Sequence, residues 1–141
     1  LKHEIELVKA YTEIEKARFE ERLEVWFDVS DNTDVKIPIL ILQPIIENAI
    51  IHGVLPKQEG GRVEITVREE ERMIAFSVKD NGIGMNREKV RDIIKNQSDG
   101  VGLSNINSRL IKLYRKGLSI VSEPSAGTEV SWRIPVENRR R

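Results

Sequence analysis

The hydrophobic positions of this chain change period several times, and each change marks an element. Leu1, Ile5 and Val8, then Leu7, Tyr11 and Ile14, recur at helical spacing, with Glu4, Glu6, Lys9, Glu13, Glu15 and Lys16 on the polar faces. This predicts a helix that ends near Glu20. Leu23, Val25, Phe27 and Val29 then alternate with mostly polar neighbours, the pattern of a half-buried strand. Asp31-Asn32-Thr33-Asp34 signals a turn. Pro38 suits the first position of a helix, where its missing N–H is not needed. Ile39, Leu42, Ile45, Ile46, Ala49 and Ile50 give that helix a wide apolar face. Pro44 conflicts with an unbroken helix: either the helix kinks there or Pro44 starts its main body. Val63, Ile65 and Val67, then Ile74, Phe76 and Val78, predict two strands joined tightly through Glu69-Glu70-Glu71-Arg72. Residues 86–99 are polar, with a weakly helical patch at Val90, Ile93 and Ile94. Leu103, Ile106, Leu110 and Leu113 predict a further helix, ending near Lys116-Gly117 with glycine as its cap. Leu118 to Val121 and Val130 to Ile134 read as the last strands, joined by the turn 123–128.

The order is helix, strand, helix, hairpin, helix, helix, hairpin. Hairpin-joined strands and broad-faced helices predict an α+β fold: a mixed, mostly antiparallel sheet with the helices on one face. A length of 141 residues suits one core. The formal charge of zero gives no support for nucleic-acid binding, and the Arg139-Arg140-Arg141 tail is a local exception. With no cysteine, disulfides and thiolate metal sites are excluded. No apolar run approaches the roughly 20 residues that cross a bilayer. The chain begins Leu1-Lys2-His3, without Met and inside a helical pattern, and is expected to be a piece of a longer protein.

Three separated segments carry candidate chemistry. In Gln43-Pro44-Ile45-Ile46-Glu47-Asn48-Ala49-Ile50-Ile51-His52-Gly53, Asn48 and His52 share a helix face at i and i+4. An amide oxygen is a hard ligand suited to Mg²⁺. In Asp80-Asn81-Gly82-Ile83-Gly84-Met85 a carboxylate ends a strand, where it can accept a charge-assisted hydrogen bond from an exocyclic amine such as that of adenine. The glycines let backbone approach a flat ligand. In Gly100-Val101-Gly102-Leu103 glycines precede a helix, whose first N–H groups attract anions. Each has an ordinary explanation as well: a satisfied buried amide, a helix-end histidine, a plain turn, a glycine loop. The last segment is not a P-loop, since no Gly-Lys-Ser/Thr follows.

Taken together and in this order, the segments resemble the N, G1 and G2 boxes of the histidine-kinase/Hsp90/MutL ATP-binding superfamily, and most closely the ATP-binding domain of LytS-type sensor histidine kinases. The likeness extends to Glu13-Ile14-Glu15-Lys16-Ala17-Arg18-Phe19, Lys36-Ile37-Pro38, Gly102-Leu103-Ser104-Asn105-Ile106, Arg109-Leu110 and Gly127-Thr128. The resemblance implies a two-layer α/β sandwich of the Bergerat type. It implies ATP and Mg²⁺, with Asn48 on the metal and Asp80 on the adenine amine. Gly82, Gly84 and Met85 would shape the base pocket, and Gly100, Val101, Gly102 and Leu103 would lie against the phosphates. Thr128 would stand near the adenine, Asn105 near the phosphate chain and His52 beside the nucleotide, with residues 86–99 as an ATP lid. Residues 1–20 would be the junction from a dimerisation and phosphoacceptor region, 21–138 the catalytic domain and 139–141 a basic tail.

The family's acceptor histidine lies in an Asn-Pro-His-Phe-type segment, and this chain has none. The chain is therefore expected to bind ATP, as a monomer, without phosphorylating itself. The parent would be a membrane-anchored bacterial homodimer, with this part in the cytoplasm, that passes the phosphoryl group to a response regulator. Hydrolysing relatives such as Hsp90 and MutL carry a water-activating Glu where this chain has Pro44, which argues against efficient hydrolysis. Glu47, directly before Asn48, is the candidate for polarising the incoming nucleophile. Two other readings stand beside this one: an anti-sigma-factor-type serine kinase, suggested by Ala49-Ile50-Ile51-His52-Gly53, and a non-catalytic nucleotide-binding regulatory module.

Overall fold

The computed structural model describes residues 1–30, 41–95 and 102–135. Helix α1 (Lys2–Phe19) leads through a short 3-10 turn into β1 (Leu23–Val29). Helix α2 (Leu42–Asn48) continues into a π-helical segment (Ala49–Val54). Then come the hairpin β2 (Gly61–Glu70) and β3 (Met73–Asp80), helices α3 (Arg87–Ile94) and α4 (Gly102–Tyr114), and the hairpin β4 (Ser119–Glu123) and β5 (Gly127–Pro135). The five strands form one sheet in the order β1-β2-β3-β5-β4. β1 runs parallel to β2 and the other pairs are antiparallel. The mixed, mostly antiparallel sheet is therefore as expected.

Period-2 alternation puts one face of the sheet in the core. Leu23, Val63, Ile65, Val67, Ile74, Phe76, Val78, Val130, Trp132 and Ile134 are buried with Ile45, Ile46, Ile50, Leu103, Ile106 and Leu110 from the helices. Phe76 and Trp132 are cross-strand partners whose rings stack with centroids 4.8 Å apart. The opposite face carries Asp28, Arg68, Glu129 and Arg133. Among the described residues no helix is long and apolar enough to cross a membrane.

Several expectations change. On α1 the core takes Ile5 and Val8 with Thr12, so Leu7 and Ile14 on the other apolar stripe remain 48% and 66% exposed. Glu4 and Glu15, expected on polar faces, are buried. Glu4 is buried because its carboxylate accepts from the backbone N–H groups of Leu42 (2.9 Å) and Gln43 (3.4 Å), capping α2 from a different helix. Pro44 is the third residue of α2. N–H groups in this first turn have no intrahelical partner, so a residue without one fits and no kink is needed. The β2–β3 connection narrows to Glu71-Arg72, Glu69 and Glu70 remaining in the strand. Leu113 is 55% exposed, and α4 ends at Tyr114. The left-handed residue past that helix is Arg115 (φ 64°), not Gly117. Gly117 is needed for space instead: a Cβ there would lie 2.1 Å from Asn107 Oδ1, which accepts from the Leu118 N–H at 2.7 Å. The expected turn at 31–34, the Lys36-Ile37-Pro38 stretch with Ile39, the far part of the 86–99 lid, and the tail 139–141 lie outside the described residues.

Candidate functional site

The site forms where the end of the α2 helix meets the ends of β3 and β5. Asn48 closes the α-helical part, and the π segment beyond it carries His52 and Gly53 toward the sheet. π-helical turns are short and uncommon, and cluster at functional sites. Gly53 then packs on Asp80: a Cβ at Gly53 would stand 3.0 Å from the carboxylate. The Gly53 carbonyl accepts from the Ile83 N–H at 2.9 Å. A Cβ on Gly82 would fall 2.0 Å from that same carbonyl oxygen. The helix end and the loop after β3 are thus in backbone contact, which the missing Cβ of Gly82 allows.

Gly84 meets a second demand. Its φ is +71°, and a Cβ would lie 1.9 Å from the carbonyl of Glu123, where β4 enters the β4–β5 turn. That turn is further tied down by Ser125, whose N–H donates to the Ile83 carbonyl at 2.6 Å. The loop 81–86 is held between two backbone walls, one from the π segment and one from the hairpin.

Asp80 is 6% exposed. Burial raises its pKa above the ordinary carboxylate value, while the backbone N–H groups of Gly82 and Thr128, and the charge of Lys57, pull it back. The Gly82 N–H donates to Oδ1 at 2.8 Å. Asp80 is paired across the sheet with Thr128.

These groups line a cavity of about 290 Å³. Its described walls are Asn48, His52, Gly53, Asp80, Gly84, Met85, Lys89, Ile93, Gly102, Leu103 and Thr128. Gly102 is exposed, opens α4, and has open space where a Cβ would be. Lys89 was not foreseen. It lies on the first turns of α3, whose N-cap Asn86 accepts from the Lys89 N–H at 2.8 Å. A Lys on a short helix next to a glycine-rich helix start was the available signal.

Of the residues singled out from sequence, Asn48, His52, Asp80, Gly84, Met85, Gly102, Leu103 and Thr128 converge on this cavity. Gly82 stands behind Asp80. Asn105 is exposed on α4 and is not part of the described lining. Glu47 is also outside the lining: its carboxylate accepts from Gln43 Nε2 at 3.0 Å, one turn earlier on α2. Its charge is felt by Tyr11 of α1. Gly100 and Val101 lie outside the described residues. Besides Lys89, two polar residues were missed. Ser122 on β4 bonds to both Met85 and Thr128. Asn107 on α4 joins the end of α3 to the start of β4 through the Ile94 carbonyl (3.2 Å) and the Leu118 N–H.

A larger groove, about 420 Å³, lies on the open face of the sheet over Thr66, Ser77, Ser119 and Ser131. Its arginines already pair with acids, Arg68 with Asp28 and Arg133 with Glu70. The smaller cavity has a buried carboxylate, Asp80, among its walls, so it is the better candidate.

Comparison with known proteins identifies the family and the fold. Residues 33–138 match the family described as histidine kinase-, DNA gyrase B-, and HSP90-like ATPase. The chain is 42% identical over 135 residues to the protein YwpD of Bacillus subtilis (strain 168), covering 94% of this chain and 49% of that one. It is 38% identical over 143 residues to the sensor protein LytS of Bacillus anthracis, covering 96% of this chain and 24% of LytS. The chain thus spans half or less of the length of these curated relatives. Among solved structures, the catalytic domain of histidine kinase ThkA shares the fold with a TM-score of 0.73 at 20% identity, over 96% of this chain and 92% of that one.

Proposed function

The chain belongs to the histidine kinase-, DNA gyrase B-, and HSP90-like ATPase family, and from that premise we propose that it is the ATP-binding catalytic domain of a two-component sensor histidine kinase. The observation that carries the reading is the cavity itself. A buried carboxylate, an amide, three glycines and the start of α4 line one space.

Each residue then has a task. Asp80 accepts from the exocyclic amine of adenine; burial raises its pKa, and the N–H groups of Gly82 and Thr128 oppose that rise. Gly84 and Met85 flank the base. Gly102 leaves the first N–H groups of α4 open to phosphate, and Lys89 adds a positive charge on the facing helix. Asn48 Oδ1 is the protein ligand for Mg²⁺. Among the described residues no three of His, Cys, Asp and Glu cluster as a cage. One amide with phosphate oxygens and water is the donor set that Mg²⁺ accepts. When bound, the ion neutralises charge on the phosphates.

Pro44 offers no base for water, so the γ-phosphoryl group goes to an external nucleophile: a histidine on a dimerisation domain beyond this chain. Glu47, next to Asn48 but outside the cavity lining, polarises that histidine as it arrives from the side of α1. Residues 1–20 are the junction to that domain and 21–138 the catalytic unit. The parent is a membrane-anchored homodimer that hands the phosphoryl group to a response regulator. The test is to mix this chain with Mg²⁺, γ-labelled ATP and a separate polypeptide bearing the parent's acceptor helices. Acid-labile, base-stable label on a histidine, absent with Asn48→Ala, is the expected result. Label confined to serine, or ATP turnover needing no acceptor, would refute the reading.

A further inference from the structure

Ser122 on β4 is the cross-strand partner of Thr128 on β5. Its Oγ makes three polar contacts. The Met85 N–H donates to it at 2.8 Å, the Gly127 carbonyl lies 3.0 Å away, and Thr128 Oγ1 lies 2.7 Å away. A hydroxyl has one proton to give and two lone pairs to offer. The Met85 N–H can only donate, and the Gly127 carbonyl can only accept. All three bonds therefore coexist in a single arrangement: Ser122 donates to Gly127 and accepts from both Met85 and Thr128. Reversing the Ser122–Thr128 bond would leave the Gly127 carbonyl without this partner. Thr128 is buried and Ser122 half-buried, so bulk water does not compete freely for either hydroxyl.

The Thr128 proton is thereby committed to Ser122, and Thr128 Oγ1 turns only lone pairs toward the cavity. Its neighbour across the sheet, Asp80, brings carboxylate oxygens that already accept from the Gly82 N–H, so it is an acceptor too. That wall of the cavity presents two acceptors and no side-chain donor. A purine edge carrying an amino group, or a water that donates, is complementary to it. A 6-oxo purine sets a carbonyl oxygen where the amine would donate, and oxygen then meets oxygen there; the donor it gains is the N1–H, one ring position away.

We propose that Ser122 is a positioning residue which fixes the polarity of Thr128, and so sharpens selection of 6-amino over 6-oxo purine nucleotides. The proposal deepens the nucleotide reading above and rests on it. A hydroxyl free to rotate could donate to a 6-oxo group and soften the rejection, whereas a site of fixed polarity rejects the mismatched ligand strongly.

The experiment measures calorimetric dissociation constants of ATP and inosine triphosphate, each with Mg²⁺, for the whole chain and its variants, with thermal unfolding checked for each. Wild type prefers ATP. Ser122→Ala narrows the preference by about tenfold, the worth of one hydrogen bond, and Ser122→Thr restores it. In a Thr128→Val background, Ser122→Ala leaves the ratio unchanged. Loss of the Met85 anchor alone would weaken both nucleotides equally. An equal loss with an unaltered ratio, or the same narrowing in the Thr128→Val background, would overturn the proposal. Wild type binding neither nucleotide would overturn the nucleotide reading, and this proposal with it.

Discussion

Replacing Asp80 by Asn is expected to act in opposite directions on folding and on binding. The carboxylate is 6% exposed and its pKa is raised by burial. A group with a raised folded pKa contributes most to stability below its ordinary value of 3.8, and loses that contribution as pH rises through the folded value. At neutral pH the unliganded chain therefore bears the cost of a buried charge. Asn is nearly isosteric, and its oxygen can still accept from the Gly82 N–H that now reaches Oδ1 at 2.8 Å, giving up only the second acceptor oxygen of a carboxylate that the Thr128 N–H also bonds. The variant should melt at the same temperature as wild type or higher at neutral pH, with the difference shrinking as pH falls toward 3.8. Binding moves the other way. A hydrogen bond to a charged group is worth about 1.5–3 kcal/mol, so affinity for ATP should fall by about 10- to 150-fold. The assay is a pH series of thermal melts on both proteins without nucleotide, followed by calorimetric titration with a non-hydrolysable ATP analogue. The reasoning is refuted by a variant less stable than wild type at neutral pH by more than about 1 kcal/mol, or by one with unchanged affinity.

Other substitutions test the remaining parts of the account. Gly82→Ala places a Cβ 2.0 Å from the Gly53 carbonyl oxygen, and should cost about 1–3 kcal/mol in denaturant unfolding as the loop and helix end separate. Gly102→Ala meets open space, so it should leave unfolding within about 0.5 kcal/mol of wild type while weakening binding of the triphosphate more than of adenosine. Glu4→Ala removes the cap on α2 and should cost about 0.5–2 kcal/mol in the same unfolding assay. Tyr11 is pushed up to about 12, by burial first and then by Glu15 and Glu47. Phenolate absorbance should therefore show one late-titrating tyrosine that disappears with Tyr11→Phe, and its raised pKa should take stability away as pH climbs from the ordinary 10.0 toward that value.

The strands were legible because alternation at Val63, Ile65 and Val67, or at Ile74, Phe76 and Val78, has one reading only. Helix α1 was less so. It carries two apolar stripes, and nothing local tells which one the core will take. Glu4 looked like a surface residue because its partners, Leu42 and Gln43, are supplied by a distant helix. The π segment could not be read, since six residues do not separate its period from that of an α-helix. At the site, the glycines were legible as places where backbone must come close. What they approach was not: Gly82 and Gly84 each meet a carbonyl from another element, and such pairings exist only in three dimensions. Ser122 escaped notice for the same reason. It faces Thr128 across a hairpin, and a serine near a turn is ordinary in sequence.

The most direct measurement is calorimetric titration of the chain with a non-hydrolysable ATP analogue, with and without Mg²⁺, beside Asn48→Ala. The account predicts saturable binding to wild type, at one site, that strengthens with Mg²⁺, and a variant in which the Mg²⁺ dependence is lost. A folded chain that binds no nucleotide at millimolar concentration, or binds it equally well with Asn48 removed and Mg²⁺ absent, would contradict the central claim.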